Sequence, residues 1–421
     1  MFVIPPRRWE GESSLMSPLG VVVAIVLVDL LGFSVVMPLL APFAKEYDFN
    51  ASQIGLLLAA YPMCQLVSGP ILGRLSDRYG RRPLLVASQA GTAISFLILG
   101  LSRDYNTMLF ARMLDGASGG NILVAQAYVA DVTKPENRAR GLGLIGMAFG
   151  LGFVLGPLLG GLLVSLPFPP EWRLRVPFLV GAGFSTIAFV LVLTRLPESL
   201  PVDAASRQAS RVLSWKGLME TVTHPLIGLL VLVGSIVVLA FASLEGTFSL
   251  FLRERMSWGP ARAAFAFALL GLVSAGVQGG LIRRLVPKYG EARLTVVGIA
   301  ALALGMAFLA MSTSVPALLA ATVVVAVGQG LASPTLSGLL SRVTPSGEQG
   351  AVFGAYSSAQ TLARMVSYYV GNLLFARFSP SAPFWEASAL AVVALGLAWV
   401  VARRVGVIKS LVVAEVAAPA A

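Results

Sequence analysis

The feature of this sequence that most limits its fold is a series of twelve apolar runs, each about 20 residues long. A helix of about 20 apolar residues spans the hydrocarbon core of a bilayer. The runs lie at residues 19–43, 52–73, 83–101, 106–130, 141–165, 175–195, 226–251, 261–282, 292–312, 315–341, 350–376 and 382–403. Because only 12% of the 421 residues are charged, against about 25% in a soluble domain, soluble enzymes and disordered chains are excluded. We predict an all-α integral membrane protein with twelve transmembrane helices.

Sites that depend on cysteine or histidine are also excluded. The chain has one cysteine, Cys64, and one histidine, His224, which rules out a disulfide framework and a His-rich metal site. It contains no nucleotide-binding loop and no recognisable arrangement of nucleophile and base. We therefore expect no cofactor, no bound metal and no enzymatic activity.

The basic residues are distributed by side of the membrane. Of the 31 lysines and arginines, 21 fall in the termini and the even-numbered loops, and eight fall in the loops on the other side. Cytoplasmic loops carry the excess of lysine and arginine, so both termini are predicted to be cytoplasmic. The net charge of +11 thus indicates topology rather than nucleic-acid binding.

A polar segment at 196–225 divides the spans six and six. We interpret 1–195 and 226–405 as two six-helix halves, 196–225 as a cytoplasmic linker with a short surface helix near 213–222, and 406–421 as a tail. We expect a monomer.

The two halves contain similar segments. Residues 74–82, after span 2, have a degenerate copy at 284–293, after span 8, and residues 131–135 are matched by 342–345. Both pairs are separated by about 210 residues. Two pseudo-symmetric halves joined by a polar linker are typical of transporters that alternate access around a central site.

The motifs of the first half resemble those of the major facilitator superfamily. Residues 73–83, Gly73-Arg74-Leu75-Ser76-Asp77-Arg78-Tyr79-Gly80-Arg81-Arg82-Pro83, are similar to the family signature between helices 2 and 3. Span 5 resembles the antiporter signature of the proton-coupled exporters, with Gly143, Gly152, Gly156, Pro157, Gly160 and Gly161. Asp29 with Gly32 and Pro38, and Arg112 with Gly116 and Gly120, are similar to the same branch. The resemblance, which is closest to tetracycline/proton antiporters and their multidrug relatives, implies the major facilitator fold and a bacterial inner-membrane exporter.

The signature loop carries our candidate cytoplasmic gate. By the resemblance, Asp77 contacts the N-terminus of span 11 and latches the cytoplasmic side, which a carboxylate at a helix N-terminus favours. The alternative is a turn with ordinary cytoplasmic positive charge. The candidate gate residues are Gly73, Asp77, Arg78, Gly80, Arg81 and Asp131.

The glycines of span 5 allow two interpretations. Gly152, Gly156 and Gly160 are four residues apart and share a helix face, and Pro157 bends the helix. Small residues at this spacing let a neighbouring helix approach closely. The pattern therefore predicts either helix packing alone or an exporter-type helix.

Five charged residues lie well inside the apolar runs: Asp29, Arg112, Asp115, Glu245 and Arg364. An unpaired charge at the bilayer centre costs at least about 2.5 kcal/mol, so each needs a partner, a cavity or a function. Asp29 is our first candidate for the proton-coupling carboxylate, followed by Asp115 and Glu245. Arg112 either tunes these carboxylates or simply neutralises Asp115 three residues along the helix. Arg364 is a candidate counter-charge to Asp29.

Uncharged polar and aromatic residues inside the spans are candidates for a substrate cavity: Asn121, Gln126, Gln329, Tyr356 and Gln360. The function that we expect is proton-coupled efflux of small amphipathic compounds, with protons, the small-molecule substrate and the bilayer as partners. The alternatives are a proton-independent facilitator or exporter of a metabolite or lipid and, with little support from the short loops, a transporter-like receptor or scaffold.

Overall fold

A computed structural model of the protein describes residues 17–133, 135–200, 224–345 and 348–417. These residues are almost entirely helical, and they contain no β-strand. The first half comprises α1 (Pro18–Val36), α2 (Leu40–Lys45), α3 (Ala51–Tyr79), α4 (Arg81–Leu101), α5 (Tyr105–Ser118), α6 (Asn121–Val132), α7 (Pro135–Ser165), α8 (Pro170–Arg173) and α9 (Val176–Arg195). The surface helix predicted near 213–222 lies outside the described residues.

The second half repeats the pattern of long helices. It comprises α10 (Pro225–Met256), α11 (Pro260–Gly276), a π-helical segment (Val277–Leu281), α12 (Ile282–Tyr289), α13 (Glu291–Met311), α14 (Val315–Val343), α15 (Gln349–Arg377) and α16 (Ala382–Ala417). Gly80 and Gly290, 210 positions apart, both follow a long helix and have positive φ angles, of 101° and 77°. Glycine adopts such angles without steric cost. The segment after span 2 and its copy after span 8 thus end in the same kind of turn.

Side-chain caps explain where several helices begin. Asn50 accepts a hydrogen bond of 2.9 Å from the Gln53 amide, and Gln53 accepts one of 2.9 Å from the Asn50 amide. This capping box satisfies two backbone donors at the start of α3. Asp104 accepts from the Thr107 amide at 3.0 Å at the start of α5. The bonds that Asp104 accepts from the Thr107 hydroxyl and the Thr107 backbone amide lower the pKa of Asp104.

Among the residues that the structure describes, ten stretches of helix are long and apolar enough to cross a membrane. The other two predicted spans are α5 with α6, which together form an interrupted helix, and the more polar α15. The all-α, multi-pass fold predicted from the sequence is confirmed.

Two boundaries differ from the sequence expectation. Residues 73–83 were expected to form a loop, but α3 continues to Tyr79 and α4 begins at Arg81, so only Gly80 separates them. No proline or other helix-breaking residue lies between residues 74 and 79, so α3 continues until Gly80, whose φ of 101° ends it. Span 4 was expected to be continuous, but Gly119 and Gly120 interrupt it.

The contacts group the chain into two compact units. Unit 1 contains the described parts of Met1–Val212 together with Glu245–Gly271 and Tyr368–Pro380, and unit 2 contains the described remainder. In unit 1, α1 packs against α7 and α9; in unit 2, α13 packs against α14 and α16. The division into halves at 196–225 was inferred from the polar segment and the repeats in the sequence, and its boundaries stay a prediction.

Candidate functional site

A buried carboxylate lies in the middle of α1. Asp29 has 6% of its surface exposed, and the Asn121 side-chain amide donates a hydrogen bond of 2.5 Å to its Oδ2. Its Oδ1 is buried and has no hydrogen-bond partner among the described residues. The Gln89 amide of α4 lies beside the same carboxylate. The groups that position Asp29 are therefore neutral amides.

The interruption of span 4 places Asn121 next to Asp29. Because α5 ends before Gly119 and Gly120, Asn121 becomes the first residue of α6. Its Oδ1 accepts a bond of 2.8 Å from the following amide, which leaves Nδ2 for Asp29. The sequence identified both residues as candidates but did not predict that they would contact each other.

Side chains of α3 satisfy carbonyl groups next to this interruption. Gln65 Nε2 donates to the Gly119 carbonyl at 2.9 Å, and Ser68 Oγ donates to the Gly116 carbonyl at 2.9 Å. A Cβ atom at Gly116 would collide with the Tyr61 carbonyl oxygen, so the two helices are in close contact there. Non-helical backbone at membrane depth requires such substitute partners. Gln65 and Ser68 are structural residues of the site that the sequence analysis missed.

Arg112 and Asp115 form an ion pair on one face of α5. Arg112 Nη1 lies 2.7 Å from Asp115 Oδ2, and each residue has 3% of its surface exposed. The guanidinium carbon lies 5.0 Å from the centroid of the Tyr61 ring. The two side chains therefore neutralise each other, which is one of the two interpretations of Arg112 given above. A further role of Arg112 in tuning Asp29 stays a prediction.

Glu245 lies at a polar contact between α10 and α15 within unit 1. The Tyr368 hydroxyl donates to Glu245 Oε2 at 3.2 Å. Asn372, which is fully buried, donates to the Tyr368 carbonyl at 2.9 Å and to the Gly246 carbonyl at 3.4 Å. Glu245 is thus held by the Tyr368 hydroxyl, a contact that the sequence did not predict.

Arg364 is half-buried in α15 and belongs to unit 2, whereas Asp29 belongs to unit 1. The suggestion that Arg364 is the counter-charge of Asp29 stays a prediction.

Glu386 is a further charged residue inside a predicted span, in addition to the five identified from the sequence. It lies near the start of α16, and Ser243 Oγ donates a bond of 2.8 Å to its Oε2. The apolar run 382–403 already contained this residue, so the sequence analysis could have found it. The sequence analysis did not include Glu386 among the candidates, because it lies only five residues into the helix.

The signature segment forms a charged cluster inside unit 1. Arg81 Nη1 lies 2.5 Å from Asp77 Oδ1, and Arg81 Nε lies 3.1 Å from Asp131 Oδ2. Arg81 Nη1 also donates to Ser76 Oγ at 2.6 Å. Three of the candidate gate residues, Asp77, Arg81 and Asp131, are therefore in contact, and their role as a gate stays a prediction. A contact of Asp77 with span 11 stays a prediction.

Glu198 completes this cluster and was missed as a functional residue. Its Oε1 accepts from the Arg81 backbone amide at 2.8 Å, and its Oε2 accepts from the Arg82 amide at 3.1 Å. The carboxylate thus caps the first turn of α4, where free amides and the helix dipole favour negative charge. Ser199 Oγ donates to Asp131 Oδ2 at 3.0 Å. The start of the linker is consequently tied to the signature segment.

The other gate candidates have different surroundings. A Cβ atom at Gly80 would lie 2.5 Å from a Glu198 oxygen, so this position requires glycine for its space as well as for its φ angle. Gly73 lies inside α3, and a Cβ atom there would meet no heavy atom within 4 Å. Arg78 stacks on Tyr79, with 5.4 Å from the guanidinium carbon to the ring centroid. No neighbouring helix therefore approaches Gly73 closely in this structure.

The glycines of span 5 face α1. A Cβ atom at Gly152 would lie 2.9 Å from Leu30 Cβ, and one at Gly160 would lie 3.0 Å from the Val35 carbonyl oxygen. At Gly156 it would collide with Ser34.

The remaining motif residues surround this stripe. Gly161 faces Phe265, 2.8 Å from the would-be Cβ, whereas Gly143 has no heavy atom within 4 Å. Pro157 lies inside α7. The expected helix packing is thus present, with α1, the helix of Asp29, as the partner.

The substrate-cavity candidates divide between the units. In unit 1, Gln126 is exposed, whereas Asn121 is buried against Asp29. In unit 2, Tyr356 is buried against Gly234 with Gln360 beside its hydroxyl, and Gln329 has a buried Oε1 without a partner among the described residues. In the described parts of the chain, no group of three or more His, Cys, Asp or Glu side chains could hold a metal ion.

Comparison with known proteins places these features in context. The sequence matches the family described as the Major Facilitator Superfamily over residues 22–366 and 282–416. It is 30% identical over 376 residues to the class B tetracycline resistance protein of Escherichia coli, covering 87% of this chain and 90% of that protein. Multidrug resistance protein 2 of Bacillus subtilis is 28% identical over 381 residues, covering 89% and 92%. The crystal structure of the human organic anion transporter MFSD10 is similar with a TM-score of 0.69 and 26% identity, covering 90% of this chain and 98% of that one.

Proposed function

The chain belongs to the major facilitator superfamily, and we propose that it exports small amphipathic compounds in exchange for protons. The family and its fold are those of membrane transporters, which agrees with the expectation that the chain is not an enzyme. Relatives among the tetracycline and multidrug resistance proteins support a drug-like cargo. Bacterial relatives over nearly the whole chain support a place in the bacterial inner membrane, with both termini cytoplasmic according to the distribution of basic residues.

The observation that carries the proposal is the setting of Asp29. Its carboxylate is buried in a membrane helix, one oxygen accepts from an amide, and the other has no partner among the described residues. Ionisable groups in such positions mark proton and substrate pathways, because an unneutralised charge is costly there. A proton on the free oxygen removes this charge. Loss of that proton would leave the Asn121 bond as the main stabilisation of the carboxylate.

The interrupted helix supports a site at this position. Transporters of this kind bind substrates and coupling ions near the bilayer midplane, where spanning helices are discontinuous. The interruption at Gly119 and Gly120 lies directly beside the Asn121–Asp29 bond, and Arg112 and Asp115 lie in the preceding helix. We assign the ion pair of Arg112 and Asp115 to setting the local charge and Asp29 to carrying the proton.

The cluster around Arg81 supports a cytoplasmic gate. The Asp77, Asp131 and Glu198 carboxylates converge on the side chain and backbone of Arg81 at the junction of α3 and α4. Because several carboxylates surround the Arg81 side chain, more than one arrangement of ion pairs is low in energy. We propose that Asp77 exchanges its partner when the transporter changes conformation.

The decisive experiment is transport by purified protein in proteoliposomes, with and without an imposed pH gradient. The cargo panel should consist of amphipathic compounds and include tetracycline. We expect gradient-driven transport of at least one compound, and Asp29→Asn should abolish it while leaving substrate exchange without a gradient. Asp104→Asn is the matched control, because Asp104 caps α5 at an exposed position and asparagine also caps helices well.

Two outcomes would contradict the proposal. Transport that ignores the pH gradient in the wild type would instead support the proton-independent facilitator. Gradient-driven transport that survives in Asp29→Asn would assign the proton to another group, with Asp115 and Glu245 the next to be substituted.

A further inference from the structure

A cavity of about 450 Å³ lies in unit 1 away from the Asp29 cluster. It is formed by the end of α2, the residue Leu174 before α9, the end of α10 and the turn before α11. None of the residues on its wall belongs to the Asp29 cluster, and Pro42 on the wall lies beyond the break between α1 and α2. The predicted topology places this cavity on the extracytoplasmic side. It is therefore separate from the proposed proton site.

The wall of the cavity is mainly apolar. Leu174, Leu250, Trp258 and two prolines, Pro42 and Pro260, supply its aliphatic and aromatic surface. Small-molecule sites have this character, with volumes of about 300–1,000 Å³ and a few polar groups that fix orientation. The size and lining of the cavity therefore suit a small organic molecule.

Local contacts fix the shape of this wall. Ser249, which lines the cavity, donates a bond of 2.7 Å to the Pro38 carbonyl and so joins α10 to the segment before α2. The Trp258 amide donates to the Leu252 carbonyl at 3.1 Å, and Ser257 between them has a positive φ of 53°. The indole of Trp258 is thus carried on a tight, defined turn.

Arg253 is the cationic group of the lining. In the described residues, no carboxylate lies within 4.0 Å of its guanidinium. Two nearby arginines are already engaged: Arg175 donates to Tyr47 and to the Gly100 carbonyl, and Arg173 donates to the Val164 carbonyl at 2.8 Å. Arg253 therefore remains available for an added anion, and its planar guanidinium matches a carboxylate.

Glu46 is the acidic group of the same lining. Partial burial raises the pKa of Glu46 above its usual value, while Arg253, Arg175 and Arg173 act more weakly in the opposite direction. When the pH falls and Glu46 is protonated, its negative charge disappears and the positive charge of the three arginines is left unopposed. An anion in the cavity is consequently favoured at lower pH.

We propose that this cavity binds a small amphipathic anion, with its carboxylate on Arg253 and its apolar body against Trp258. The lining of this site shares no residue with the Asp29 cluster. It would let an anionic compound outside the membrane bind directly beside the ends of α2 and α10.

The test is equilibrium binding of 2-naphthoate to the full-length protein in nanodiscs of neutral phosphatidylcholine, with the uncharged 2-naphthylmethanol as the comparison ligand. We expect 2-naphthoate to bind saturably and at least tenfold more tightly than the alcohol. Arg253→Gln should weaken binding of 2-naphthoate at least tenfold and leave binding of the alcohol unchanged. Arg262→Gln, an exposed arginine outside the cavity, is the matched control and should have less than a twofold effect.

A second variant checks the role of Glu46. Binding of 2-naphthoate to the wild type should tighten as the pH is lowered toward the raised pKa of Glu46, and Glu46→Gln should bind the ligand tightly over the same range. The proposal is overturned if Arg253→Gln and Arg262→Gln behave alike, or if the acid and the alcohol bind equally. It is also overturned if phosphatidylglycerol in the nanodisc displaces 2-naphthoate from the wild type, since the site would then belong to a lipid. Because no proton gradient is applied, these results are independent of the proposed transport function.

Discussion

Asn121 donates a hydrogen bond of 2.5 Å to Oδ2 of Asp29, a residue 92 positions earlier in the chain. The bond joins the first residue of α6 to the middle of α1, and it exists because span 4 is interrupted just before Asn121. In the proposed mechanism, the proton binds Oδ1, and the Asn121 bond to Oδ2 stabilises the carboxylate when that proton has left. The position of Asn121 should therefore affect how substrate transport is coupled to proton movement.

Asn121→Leu should reduce gradient-driven transport by about tenfold or more. A hydrogen bond to a charged group contributes about 1.5–3 kcal/mol, and each 1.4 kcal/mol corresponds to about tenfold. The measurement is the initial rate in proteoliposomes with an imposed pH gradient. Asn106→Leu, at an exposed position of α5, should change that rate less than twofold. Equal rates in the wild type and Asn121→Leu would remove Asn121 from the mechanism.

Tyr368→Phe tests the contact that holds Glu245. Loss of a hydroxyl that donates to Glu245 at 3.2 Å should lower the free energy of unfolding by about 1 kcal/mol. Glu245→Gln should cost less in the Tyr368→Phe background than in the wild type, because the shared bond is already lost. Unfolding in mixed micelles measures both, with Tyr289→Phe at an exposed position as the control. Strictly additive effects would mean that the two side chains are energetically independent.

The fold was predictable from the sequence because its signal is long-range and redundant. Twelve apolar runs, the side preference of lysine and arginine and two repeated segments all indicate the same architecture. The end of α3 was mispredicted, because the polar residues 74–79 interrupt the apolar pattern without interrupting the helix. Hydropathy indicates where a helix enters the membrane, but it does not indicate where a helix ends.

The site was predictable in its residues and not in its contacts. Asp29, Arg112 and Asp115 stood out because charges are scarce in the spans. Glu198 was recognised only as part of a polar linker, because its role depends on the amides of Arg81 and Arg82, more than 110 residues away. Such a cap has no local sequence pattern. Likewise, the pairing of Asn121 with Asp29 depends on how α1 packs against α6.

Glu198→Ala should destabilise the junction of α3 and α4. The substitution leaves two backbone amides at the start of α4 without their acceptor, and loss of a helix cap costs about 0.5–2 kcal/mol. Unfolding in mixed micelles should register this loss, and gradient-driven transport should fall with it if the cluster is a gate. Glu254→Ala, at an exposed position near the end of α10, provides the control. Wild-type stability in Glu198→Ala would show that water replaces the cap without cost.

Gly80→Ala and Gly290→Ala separate backbone strain from crowding. Both residues combine a positive φ with a ψ near 155°, a region that is almost exclusive to glycine and costs another residue about 1–3 kcal/mol. At Gly80 the added Cβ atom also meets the Glu198 carboxylate at 2.5 Å, whereas at Gly290 it meets no heavy atom within 4 Å. Gly80→Ala should therefore lower the free energy of unfolding more than Gly290→Ala does. This additional loss should shrink in a Glu198→Ala background. If both variants lose the same stability, the carboxylate moves aside freely.

Gly156→Ala should be the most damaging small substitution in span 5. The added Cβ atom would lie 2.8 Å from the Ser34 carbonyl carbon and would overlap the Ser34 side chain, so α7 and α1 would have to separate. Overpacking of this kind typically costs about 1–3 kcal/mol. Gly146→Ala, in the same helix with no heavy atom within 4 Å, is the matched control and should be neutral or stabilising by up to about 1 kcal/mol, because alanine favours helix. Unfolding in mixed micelles measures the difference between the two variants.

Because α1 carries Asp29 five residues before Ser34, Gly156→Ala should also reduce gradient-driven transport, whereas Gly146→Ala should not. Equal stability of the two variants would mean that the glycine stripe does not determine how closely α7 approaches the helix of Asp29.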